Sequence, residues 1–100
     1  MKDHRDIVEH VDQFKRKVHD LIDDPNHPYG KELQRAIEEL VKDVKIKRPS
    51  VNVHQRIMGV NQSLQQIRNH GDQIMDFRHT DMFMKQCQEM NGLIDEYYPY

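Results

Sequence analysis

Histidine has the widest chemical repertoire of the residue types in this sequence, and seven occur in 100 residues. Histidine binds metal ions and exchanges protons near neutral pH. A helical metal site needs ligands three or four residues apart on one face, such as two histidines or a Glu-x-x-His pair. Neither spacing occurs, so the sequence predicts no metal site. The histidines are His4, His10, His19, His27, His54, His70 and His79.

Cys87 is the only cysteine, so an internal disulfide and a cysteine-based zinc site are both excluded. It falls on an apolar stripe, and we expect a buried thiol rather than a nucleophile because neither a helix start nor a neighbouring cation would lower its pKa. No Gly-rich phosphate loop, Gly-x-Ser-x-Gly motif or calcium loop is present. We therefore predict no catalytic residues, no cofactor and no enzymatic activity.

The most distinctive polar residues are uncharged amides in a part of the chain that lacks acids. No Asp or Glu occurs between positions 44 and 71. A solvated helix face normally mixes Glu with Lys, whereas amides bind a partner without the large desolvation cost of charges. We interpret them as a candidate partner-binding face, with an ordinary solvated surface as the alternative. The candidate residues are Gln55, Gln62, Gln65, Gln66 and Asn69.

The same acid-free part of the chain holds five cations, which form a candidate basic patch. Such a patch would bind the phosphates of nucleic acid. The net charge of −2 and the acidic flanking segments oppose this function. A nucleic-acid-associated protein that uses the basic 45–68 segment is therefore the alternative prediction. The cations are Lys45, Lys47, Arg48, Arg56 and Arg68.

The amides and cations must be positioned by a helix, because apolar residues between Val53 and Ile74 recur in steps of four and three. Gly71 falls at one of these positions. It could give close backbone approach within a helix, or it could end the helix in the left-handed conformation. Because Ile74 and Met75 continue the apolar period, we expect one helix over about residues 51–76.

Three further amphipathic segments predict helices over about residues 3–22, 28–47 and 80–97. Pro25 and Pro49 mark helix ends, Pro28 suits a first helical position, and Thr80 is the expected cap of the last helix. Short connections make consecutive helices antiparallel neighbours. We predict an all-α, four-helix up-down-up-down antiparallel bundle forming one domain over residues 1–100. A pair of long hairpins that completes its core only as a dimer is the alternative.

Composition adds expectations about location and self-association. Hydrophobic residues make up 36% of the chain, below the roughly 45% typical of globular proteins, which predicts a thin core and a homodimer. No apolar stretch is long enough to span a membrane, and no apolar leader follows Met1. We expect a cytoplasmic protein. Methionines outside the main stripes, such as Met58, indicate either a wider core or an adaptable contact surface.

A four-helix domain of this size with a histidine near a helix start resembles histidine phosphotransfer domains. Those domains place a small residue, usually glycine, one turn after the phosphorylated histidine. Here Gly59 follows His54 by five positions, one too many, and the basic and small residues that follow in that family are absent. A phosphotransfer bundle is thus the third alternative, and the leading prediction is a non-enzymatic module that binds another protein as a regulator, subunit or adaptor.

Overall fold

The helices predicted from apolar spacing are all present in a computed structural model, which describes residues 4–47, 50–71 and 73–97. Within these ranges each helix packs against its neighbours in the chain, α4 also packs against α1, and no strand occurs. The all-α, up-down-up-down four-helix bundle is therefore confirmed. The helices are α1 (His4–Leu21), α2 (Pro28–Lys45), α3 (Ser50–His70) and α4 (Phe77–Tyr97).

The core lies along the centre of the bundle and is formed by the predicted apolar stripes. Phe14 of α1 and Phe83 of α4 meet edge to face, with ring centroids 5.5 Å apart. Such aromatic pairs add stabilisation beyond their buried area. The largest fully buried side chains are Ile7, Leu33, Ile37, Leu40, Ile57, Leu64, Ile67, Ile74, Met75, Phe83, Met90 and Ile94.

The predicted end of α3 is wrong, because the helix stops at His70 and not near residue 76. Gly71 has a φ of +102°, and its N–H donates to the carbonyl of Ile67 at 3.1 Å. This left-handed glycine ends the helix, as side chains rarely adopt that conformation. Ile74 and Met75 are buried from the connecting loop rather than from the helix. The prediction that these two apolar residues are buried is therefore confirmed, and the prediction that they continue the helix is wrong.

The predicted start of α4 is also wrong, because the helix begins at Phe77 and not at Thr80. Asp76 precedes it, and its carboxylate accepts a hydrogen bond from the N–H of Arg78 at 2.9 Å. Thr80 is buried in the first turn, where its hydroxyl donates to the carbonyl of Asp76 at 3.1 Å. Asp76, and not Thr80, therefore caps the N-terminus of α4.

The loop before α4 is tied to the loop between α1 and α2. The carbonyl of Ile74 accepts hydrogen bonds from the N–H groups of Asp23 and Asp24, at 2.6 and 3.5 Å. These contacts hold the buried residues of the α3–α4 loop against the first helical hairpin. They explain why Ile74 lies in the core without being part of a helix.

The helix bounds elsewhere agree with the predictions to within about two residues. Pro28 starts α2 as expected, with His27 as its cap accepting a hydrogen bond from the Tyr29 N–H at 3.2 Å. α2 ends at Lys45, and Lys47 beyond it has a φ of +56°. Two predicted helix limits, Asp3 and Pro49, lie outside the described residues. No helix in the described ranges combines the length and apolar composition that a bilayer-spanning segment needs.

Candidate functional site

The inward side of α3 belongs to the core and fixes the orientation of the whole helix. Its apolar residues are at most 1% exposed. α3 packs against both α2 and α4, so both its flanks are also in contact with neighbouring helices. One outward side is left. The inward residues are Val53, Ile57, Val60, Leu64 and Ile67.

The outward side of α3 carries seven exposed residues and no charge, and we call it the neutral face. At 100° per residue, the seven residues fall within a sector about 100° wide. Met58 is 57% exposed and Val51 is 50% exposed. All five amides of the predicted partner-binding face lie in this sector. The neutral face consists of Val51, Gln55, Met58, Gln62, Gln65, Gln66 and Asn69.

A groove of about 250 Å³ runs between α3 and α4 beside the neutral face. Ile57 and Cys87 form its buried floor. No charged residue lines it, although 32% of the chain is charged. The other lining residues are Met58, Asn61, Gln62, Gln65, Gln88 and Asn91.

Asn61, which lines this groove, has an unsatisfied side-chain hydrogen-bond acceptor. Its side-chain Oδ1 atom is buried and has no hydrogen-bond partner in the described part of the chain. Gln34 of the α1–α2 groove likewise has a buried side-chain nitrogen without a partner, so this feature is not unique to the α3–α4 groove. The amides that line the α3–α4 groove carry N–H donors and carbonyl acceptors without charge, which suits an uncharged partner.

The groove between α1 and α2 has a different character. It is larger, about 390 Å³, but its walls include Lys15, Arg16, Asp20 and Glu38. A smaller depression between α2 and α3 likewise contains acids and a base. Charges of both signs along a groove are typical of a solvated surface. Their absence therefore distinguishes the α3–α4 groove.

The predicted basic patch is divided between two flanks of α3. Arg56 lies on the α2 flank, where its Nε and Nη1 atoms are 2.7 Å from Asp43 and 2.9 Å from Glu39. The Asp43 side chain is only 6% exposed. Arg68 lies on the α4 flank, with its Nε 2.7 Å from Asp81. Both arginines hold neighbouring helices together.

The remaining cations of the predicted patch do not extend it across α3. Lys45 of α2 lies 3.9 Å from the Asp12 carboxylate of α1. Lys47 is exposed beyond the end of α2. Arg48 lies outside the described residues. Three of the five cations, Lys45, Arg56 and Arg68, thus form ion pairs between helices, and these pairs account for their presence without a bound phosphate.

His54 bridges α3 to α4 at the end of the groove. Its Nδ1 is 2.6 Å from Oδ1 of Asn91, and its Nε2 is 2.9 Å from Oδ1 of Asp95. Burial, the largest influence, lowers the pKa of His54, but the hydrogen bonds to Asn91 and Asp95 and the Asp95 charge outweigh it. The pKa is consequently raised above 6.5. Both nitrogens face oxygen atoms, an arrangement that suits the protonated ring.

This bridge bears on the predicted phosphotransfer alternative. A phosphorylated histidine must present one ring nitrogen to a partner domain, whereas both nitrogens of His54 are engaged. The arrangement therefore argues for a structural role of His54. Elsewhere, the rings of His27 and His70 lie 4.4 Å apart. No group of three or more His, Cys, Asp or Glu residues in the described ranges could hold a metal ion.

Cys87 and the methionines divide between core and surface. Burial raises the pKa of the Cys87 thiol to about 12, which keeps it protonated and unreactive. Met90, which lies on the main stripe of α4, and Met75 are fully buried, and Met84 packs partly buried against the core, as the wider-core interpretation requires. Met58 and Met82 are exposed, as the contact-surface interpretation requires. Met58 alone of these lies on the neutral face.

Sequence reasoning missed the residues that α3 and α4 contribute to the groove beyond the five amides. These are Asn61, Gln88 and Asn91. The available signal was that Gln88 and Asn91 are both uncharged and lie three residues apart, on one side of α4.

Comparison with protein-family models, with curated proteins and with solved structures found no match to this chain.

Proposed function

We propose that this protein is a non-enzymatic, cytoplasmic helical module that binds another protein through the neutral face of α3 and the adjoining α3–α4 groove. The observation that carries the proposal is the absence of charge across this surface in a chain that is 32% charged. An uncharged surface loses water at a lower cost than a charged one. Depletion of charge is also what distinguishes the centre of protein interfaces from other protein surface.

Two details of the surface support the proposal. Met58 provides an exposed, flexible apolar side chain that adapts to the shape of a partner. The side-chain amides of Gln62 and Gln65 provide hydrogen-bond donors and acceptors beside it. An apolar contact with a few oriented polar groups around it is a common arrangement at binding surfaces.

The ion pairs of the predicted basic patch favour this function over nucleic-acid binding. Phosphate contacts require cations that are available to replace counterions. Arg56 and Arg68 already pair with acids of α2 and α4, and breaking these pairs would oppose binding. The neutral face between the two arginines carries no cation that could neutralise a phosphate.

Site-specific photo-crosslinking in the cells that express the protein tests the proposal. A photoreactive amino acid at position 62 should yield a crosslinked protein species. The matched control is position 13, an exposed glutamine on α1 beside the charged residues Glu9, Asp12 and Arg16. Equal crosslinking at positions 62 and 13, or none at either, would contradict the proposal. Mass spectrometry of the product identifies the partner.

A further inference from the structure

The neutral face and the α3–α4 groove are chemically complementary to themselves. A side-chain amide carries both N–H donors and a carbonyl acceptor, so two copies of an amide-lined surface can satisfy each other. In a twofold interface each residue near the axis meets its own copy, and a charged residue there would meet a like charge. The absence of charge on this surface removes that penalty.

We propose that the partner of this surface is a second copy of the same chain, related by a twofold axis that passes close to Gln62. This inference rests on the proposed function and names its partner. Gln62 belongs to both the neutral face and the groove, and it lies near the middle of the exposed stretch from Val51 to Asn69.

The α1–α2 groove sets stricter conditions on a twofold pairing. Lys15, Arg16, Asp20 and Glu38 line it, so each charge would have to lie against an opposite charge of the second copy, and a charge near the axis would meet its own copy. The α3–α4 groove sets no such condition, because no charged residue lines it.

The size of the surface is sufficient for a weak dimer. The stretch from Val51 to Asn69 extends about 27 Å along the helix axis, and two packed helices present a width of about 20 Å. The projected area is at most about 540 Å² per copy, compared with roughly 800 Å² per partner in standard interfaces. It includes the outward side of α4, where Lys85 and Glu89 are exposed, so the uncharged part is smaller. An area of this size is typical of a weak, transient contact and not of a permanent dimer.

Charge changes at one position test the proposal directly. Sedimentation of the purified chain should show a concentration-dependent shift from 12.1 kDa to twice that mass. Gln62→Glu and Gln62→Lys should each weaken the dimer by at least about tenfold, because like charges then meet across the axis. An equimolar mixture of the two variants should restore the dimer, since opposite charges then face each other. This rescue also requires that both variants fold.

The matched controls are Gln13→Glu and Gln13→Lys, which make the same charge changes on exposed α1 and should leave the mass unchanged. A wild-type chain that stays monomeric at high micromolar concentration overturns the second copy as partner. Crosslinking of a different protein at position 62 would then leave the proposed function standing. A dimer that resists both Gln62 variants, or variants that fail to restore it when mixed, overturns the twofold axis at this position.

Discussion

The inward and outward sides of α3 differ in burial and in residue type. The inward side consists of buried aliphatic residues such as Leu64, whereas the outward side consists mainly of exposed, uncharged amides such as Gln62. The outward side of α2, by contrast, mixes exposed acids and bases such as Glu38 and Lys42. A helix that only faces solvent would resemble α2. This contrast is the observation on which the proposed binding function rests.

The largest difference between the two sides should appear in stability. Leu64→Ala removes a fully buried side chain and should lower the free energy of unfolding by about 2–5 kcal/mol. Gln65→Ala, the adjacent substitution on the neutral face, should change it by less than about 0.5 kcal/mol. Urea denaturation measures both values. Similar costs at the two positions would contradict the difference in burial between the two sides.

Replacing either of two glycines by alanine should change the stability of the protein, in opposite directions. Gly71→Ala forces a side chain into a φ of +102° and should destabilise the protein by about 1–2 kcal/mol. Gly59→Ala lies in the middle of α3, where an added Cβ meets nothing within 4 Å. It should stabilise the protein by about 0.5–1 kcal/mol through helix propensity. Thermal unfolding separates the two, and a stabilising Gly71→Ala would contradict the left-handed helix end.

The flank of α3 that faces α4 should show a smaller, pH-dependent effect. The pKa of His54 is raised in the folded state, so the stabilisation is complete below the unfolded value of about 6.5 and is lost as pH rises through the folded pKa. The difference in unfolding free energy between wild type and His54→Gln should therefore be larger at about pH 6 than at about pH 9. Gln55→Ala, an exposed change on the same helix that removes no ionisable group, should show no comparable trend. A difference in unfolding free energy that does not change with pH would contradict a charged contact between His54 and Asp95.

The smallest expected effect concerns nucleic acid. Because Arg56 and Arg68 pair with acids on opposite flanks of α3, duplex DNA should not bind measurably at physiological salt. A gel shift measures this directly. Binding that falls steeply with salt and is abolished by Lys47→Glu with Arg48→Glu would instead support nucleic-acid association.

The predictable part of this structure is the part that depends on one-sided burial. Steps of four and three fix which residues of a helix share a side, so the buried stripe and the five amides of α3 followed from spacing alone. Ile74 shows the limit, since a loop can bury an apolar residue at a position that continues the helical period. The left-handed conformation of Gly71 decided that case, and the sequence allowed both outcomes.

The groove itself required tertiary contact and could not be predicted. Gln88 and Asn91 join Asn61 only because α4 packs beside α3 at one particular height. The same holds for the pairing of Arg56 with Asp43, thirteen residues apart. Spacing within one helix says nothing about which neighbouring residue lies across a contact. The exposure of the five amides on one side of α3 was therefore predictable, whereas the α4 residues beside them were not.

The hydrogen bonds to the carbonyl of Ile74 have a consequence for hydrogen exchange. Contacts between helices that follow one another are close in sequence and form at a low cost in loop-closure entropy. The bonds from Asp23 and Asp24 to Ile74 join residues about fifty positions apart. They form only when the α1–α2 loop meets the α3–α4 loop, so exchange of the Asp23 amide with solvent hydrogen reports the separation of these two loops.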